Sequence, residues 1–86
     1  MPVLSKFCGV AIRMLFFREC APRFQAIYGN MELVVAVRPL RILRGNVPQR
    51  VGEMVMEWAS PHQAGLVEAW NLLNAARPPK AITPLR

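Results

Sequence analysis

"RFQAIYGNMELVVAV", residues 23–37, is the stretch whose reading decides the fold of this 86-residue chain. Two strand-like runs flank Gly29-Asn30, and a two-residue step of that kind between alternating runs is a hairpin signal. In the first run, Phe24, Ala26 and Tyr28 share one face, and Arg23, Gln25 and Ile27 share the other. The second run, Glu32 to Val37, is dense in β-branched residues and turns Leu33, Val35 and Val37 inward. Pro39 stops it.

Working outward, Cys8 to Phe17 also alternates. Val10, Ile12, Met14 and Phe16 fall on one face, with Ala11, Arg13 and Leu15 on the other. Pro22 and its neighbours connect this run to Arg23. On the other side, Arg41 to Arg44 reads as a short fourth strand before Gly45-Asn46. The period then changes to that of a helix, with Val47, Val51, Met54, Val55 and Trp58 on one stripe and Pro48 suited to the first turn. "SPHQ", residues 60–63, has the form of a second helix start: Ser60 as cap, Pro61 at the first position and Gln63 at the capping-box place. Leu66, Trp70, Leu73 and Ala76 continue the stripe to Arg77, where Pro78-Pro79 ends it. The pattern predicts one α+β domain over residues 1–86. An antiparallel sheet of three to four strands, 8–44, is packed on one face by two C-terminal helices, 47–59 and 61–77, with an extended tail, 78–86.

Hydrophobic residues make up 53% of the chain and charged residues only 19%, which argues against disorder of the whole chain. A body this small buries roughly 60–65% of its unfolded surface, so some apolar area is left for a partner. The most apolar N-terminal stretch, Phe7 to Phe17, is interrupted by Arg13 and falls well short of the about 20 residues of a membrane span. It also lacks the unbroken apolar region of a secretion signal. The expectation is a cytoplasmic protein without a membrane partner, with Cys8 and Cys20 as free thiols.

The net charge of +6 is unevenly placed. The first fifty residues carry eight bases against only Glu19 and Glu32, whereas the remainder balances. Nine of the eleven bases are arginine, whose planar fork suits phosphate and carboxylate. That imbalance favours an acidic partner for the first half.

Several stretches together resemble a small bacterial family, the domain of unknown function numbered 4160. They are "MPVLSKFCGVAIRMLFF" (1–17), the Pro22-x-Phe24-x-Ala26-x-Tyr28 strand, "EWASPHQAGLVEAWN" (57–71) and the closing Ile82-x-Pro84-Leu85. The resemblance implies a compact bacterial α+β protein, of a kind often encoded near other small proteins and sometimes in toxin–antitoxin-like settings. It implies no reaction. Family members carry a turn of the form His-Asn-Pro-Pro-His-Phe-His-Ala. Here the three histidine places hold Glu19, Arg23 and Gln25. Arg41 and Arg44 stand where acidic residues are common in the family, so the basic stripe belongs to this chain.

The chemistry-bearing residues are few. One histidine and two cysteines lack the number and spacing of a metal site, and no cofactor is implied. His62, early in its helix, has no orienting carboxylate in view, and a helix N-terminus disfavours its charged form. Cys20 has Glu19 and Arg18 pulling its thiol in opposite directions. There is no aspartate, and the five glutamates are scattered, so paired-carboxylate catalysis has no home. No catalytic residue is assigned.

The arginines remain. Alternation sends Arg13, Arg23, Gln25 and Arg41 to the sheet face away from the helices, with Arg38 and Arg44 at its end. Leu15, Ile27 and Val34 share that face and are expected to be exposed. A basic surface can meet phosphate, but this one lacks the aromatics of a stacking platform, and apolar positions ringed by arginine suit a protein interface. The expectation is a non-enzymatic binding module that takes a protein partner or self-associates through a basic sheet face. The alternatives are an RNA- or DNA-binding component of a toxin–antitoxin-like system and a degenerate hydrolase-like domain.

Overall fold

The hairpin signal at Gly29-Asn30 is realised in the computed structural model, which describes residues 3–14 and 21–85. Arg23–Tyr28 (β3) and Met31–Ala36 (β4) pair antiparallel, Tyr28 opposite Met31 and Arg23 opposite Ala36. Gly29 takes a φ of 62°, the left-handed conformation that a tight two-residue turn demands.

The sheet has five strands rather than the expected three to four. Val3–Phe7 (β1) and Val10–Arg13 (β2) form a hairpin of their own, and Arg41–Asn46 (β5) follows β4. The alternation from Cys8 predicts one strand, but Cys8 and Gly9 both carry positive φ, 49° and 79°, and reverse the chain. Cysteine seldom adopts that conformation, so Gly9 alone signals the turn in the sequence. The part of that expected strand beyond Met14 lies outside the described residues. Strand order is β1-β2-β3-β4-β5, every neighbour antiparallel, with irregularities between Val3 and Ser5 and between Val34 and Val35.

The two expected helices form one long helical segment. Gln49–Ala59 (α1) passes through a 3-10 turn, Ser60–His62, directly into Gln63–Asn74 (α2). Ser60 makes no side-chain cap and is itself helical. Gln63 does not close a capping box either: its Nε2–H donates to the Val37 carbonyl at 2.7 Å, tying the helical segment to the end of β4. A Ser-Pro pair inside a helical segment is tolerated here because Pro61 sits in the first turn of the 3-10 element, where its missing N–H costs little. The segment ends at Asn74, short of the expected Arg77. Ala76 swings to a φ of 57°, and its N–H and that of Arg77 return to the carbonyls of Leu73 and Leu72. That is a Schellman closure with alanine where glycine is usual.

One face of the sheet meets these helices. Leu4, Phe7, Val10, Ile12, Met14, Phe24, Ala26, Leu33, Val35 and Val37 pack with Val51, Val55, Trp58, Ala59, Leu66, Ala69 and Trp70 in a single core. Trp58 is its centre, 1% exposed, with ring centroids 5.5 Å from Phe7 and 5.8 Å, edge-on, from Phe24. The tail beyond α2 is extended and docked. Ile82 N–H donates to the Leu4 carbonyl at 2.8 Å, the Trp58 indole N–H donates to the Thr83 carbonyl at 2.8 Å, and Ile82 and Leu85 pack on the core. Among the described residues, no helix is long and apolar enough to cross a membrane.

Candidate binding face of the sheet

Strand register fixes what lies on the face opposite the helices. Its central row runs Val3, Arg13, Gln25, Val34 and Arg44 across all five strands. A second row runs Lys6, Ala11, Ile27, Glu32 and Asn46, and a third brings Arg23, Ala36 and Arg41 together. Arg13, Arg23, Gln25 and Arg41 therefore share the face that alternation assigned to them. Arg44 lies in its central row rather than at its end. Arg38 stands apart, exposed in the turn between β4 and β5.

The face is less open than the sequence suggested. Val34, expected to be exposed, is only 4% exposed, and Ile27 is half-buried. Val34's cross-strand neighbours on this face are Gln25 and Arg44. Leu15 lies outside the described residues. Arg13 Nε and Gln25 Oε1, on cross-strand partners, are buried without a hydrogen-bond partner, so the middle of the row is tightly covered. Apart from Val3 at the β1 edge, which is 40% exposed, this face presents mainly polar and charged groups outward.

Those charges are lightly tethered. Arg23 Nε–H reaches the Ala21 carbonyl at 3.4 Å. Arg44 meets Glu32 at 3.9 Å with both side chains well exposed, a geometry worth about 0–1 kcal/mol and screened by salt. Glu32 is the only carboxylate in the three rows, and neither aromatic of β3 belongs to them: Phe24 and Tyr28 turn to the core side.

The other candidate groups are dispersed. His62, half-buried in the 3-10 turn, packs against Trp58 with ring centroids 5.3 Å apart and tilted by 41°. Cys8 carries a free thiol in the first hairpin turn. Among the described residues, no three metal-capable side chains lie together.

Sequence reasoning missed a second feature beside this face. An apolar groove of about 560 Å³ opens between β5 and the start of α1, lined by Leu33, Ile42, Val47 and Met56 together with Gly45 and Gly52. Ile42, on its rim, is 49% exposed. The sequence offered only two isolated glycines as a sign of it.

Comparison with known proteins gives one match. The family model described as Domain of unknown function (DUF4160) covers residues 9–71, from the first hairpin turn into α2. No curated protein and no solved structure matches the chain.

Proposed function

The chain belongs to the DUF4160 family, and from that premise we propose a binding function: the protein is a non-enzymatic module whose basic sheet face takes an acidic protein partner. One observation carries this reading. Cross-strand register gathers Arg13, Arg23, Arg41 and Arg44 on one face with a single carboxylate, Glu32, among them. Guanidinium groups held on a rigid sheet orient an incoming carboxylate-rich surface and speed its association. A second copy of the chain is a poor occupant of the same face, because it would set arginine against arginine. Nucleic acid is the rival reading, supported by the suitability of arginine for phosphate. The absence of aromatics from the three rows weighs against it, since single-stranded readers stack bases on such side chains.

The test is a titration of a labelled oligoglutamate, a single-stranded RNA and a duplex DNA at two salt concentrations. Oligoglutamate should bind, and Arg23→Ala or Arg44→Ala should weaken it. Arg77→Ala, which removes the same charge from the end of α2, should leave binding unchanged. Equal losses at all three positions would reduce the effect to bulk charge and overturn the reading. RNA binding that outlasts oligoglutamate binding in salt, with a slope near one unit per neutralised phosphate, would transfer the face to nucleic acid.

A further inference from the structure

We propose that the acidic partner docks as an added β-strand along β5, with alternate side chains entering the groove beside α1 and the intervening ones reaching Arg41 and Arg44. This rests on the basic-face reading and specifies the form of its ligand.

The edge itself is the first reason. β5 is the last strand of the sheet, and among the described residues its backbone bonds only to β4. The opposite edge, β1, already receives the tail through the Ile82–Leu4 hydrogen bond. Unpaired strand edges recruit extended segments, with main-chain bonds supplying affinity and side-chain pockets supplying selectivity. Six residues of β5, with Leu43 as an extra residue between Ile42 and Arg44, give an edge about 20 Å long, enough for a short strand.

The two sides of that edge then define the ligand. On the helix side lies the apolar groove lined by Leu33, Ile42, Val47 and Met56, with Glu53 on its wall. An acidic side chain would be repelled there, so the groove selects aliphatic ones. On the other side, Arg41 stands opposite Ala36 and Arg44 opposite Val34, both exposed. A strand that alternates aliphatic and acidic residues satisfies both sides at once. A second β5 does not, because pairing it with the first sets like charges across from each other.

Gly52 gives a means of testing this without disturbing the sheet. A Cβ there would meet only Val47 Cγ2 at 3.7 Å, an ordinary contact, so Gly52→Leu fills the groove from α1. The probe is a capped peptide alternating glutamate with valine and leucine. Its controls are a peptide of the same composition in two blocks, and alternating peptides N-methylated at every second amide in either phase. The alternating peptide should bind about tenfold tighter than the blocked one, and one N-methylation phase should lose about tenfold. Amide exchange in Arg41–Asn46 should slow on binding. Gly52→Leu should abolish this preference and leave oligoglutamate binding intact, with Ile42→Ser as a second variant should the first fold poorly. Equal affinity for all the peptides, with oligoglutamate still bound, would overturn strand addition and spare the basic face. Failure of every acidic probe would overturn both. Slowed β5 exchange in peptide-free protein that dimerises would hand the groove to a second copy and refute the proposal.

Discussion

Replacing Trp58 by phenylalanine tests how far one side chain unites the sheet, the helices and the tail. The indole is 1% exposed between Phe7, Phe24 and His62, and its N–H holds the Thr83 carbonyl at 2.8 Å. Truncating a buried tryptophan fully costs about 3–5 kcal/mol, and phenylalanine keeps one ring in place, so the packing loss is about 1.5–2 kcal/mol. The lost hydrogen bond adds about 0.5–1 kcal/mol, at the low end because Thr83 is exposed and its carbonyl can return to water. The sum is about 2–3 kcal/mol, a large share of the roughly 4–13 kcal/mol expected for a domain of this length. In thermal terms it lowers Tm by about 10–20 °C. Urea unfolding followed by far-UV circular dichroism gives the free-energy loss. Amide exchange at Ile82 gives a second readout, because freeing Thr83 loosens the adjacent Ile82–Leu4 bond. A loss below about 0.5 kcal/mol, with the Ile82 amide as protected as before, would refute the role assigned to the indole.

Three further outcomes follow from the same geometry. Gly45→Ala should destabilise by about 3 kcal/mol by chemical denaturation, because φ is 104° there and a Cβ would press into the Glu32 carbonyl oxygen and come within 2.9 Å of Leu33 Cα. Ala76→Gly should stabilise by about 1 kcal/mol in a thermal melt, since the left-handed residue closing α2 is strained only by its Cβ. Gln63→Glu should be destabilised by about 1–3 kcal/mol at neutral pH, where a carboxylate faces the Val37 carbonyl and nothing donates to it. Protonation restores a donor, so the folded state raises that carboxyl's pKa. The deficit should be small below the unfolded value of about 4.3 and grow as pH rises through the raised folded value. A deficit independent of pH would count against the hydrogen bond.

The readable parts of the sequence were those governed by local pattern. Gly29-Asn30 named its hairpin, and period-two alternation placed Arg13, Arg23, Gln25 and Arg41 on one face. The parity of Val10, Ile12 and Met14 survived even though their strand was drawn too long, because the hidden turn at Cys8 and Gly9 precedes all three. Ser60-Pro61 misled because the chemistry that starts a helix can also sit in a 3-10 turn between two α-helical stretches. Gln63 misled for a related reason: its amide finds a stronger partner in the sheet than in its own helix. The burial of Val34 and the groove beside β5 depend on how segments distant in sequence come together in the fold. Neither is a property of any single segment.

Because each strand pairs with the next along the chain, almost all of the sheet closes through short loops, and the Ile82–Leu4 bond stands alone in joining opposite ends of the described chain. Such an arrangement separates two rates. Hairpins that need little loop closure assemble early and set the speed of folding. The tail's bond needs both β1 and α2 in place, so its contribution is expected after the transition state. Interactions formed that late act on escape from the native state and leave entry to it unchanged. On that expectation the tail acts as a brake on unfolding, and a substitution at Ile82 should shorten the lifetime of the folded chain without slowing its formation.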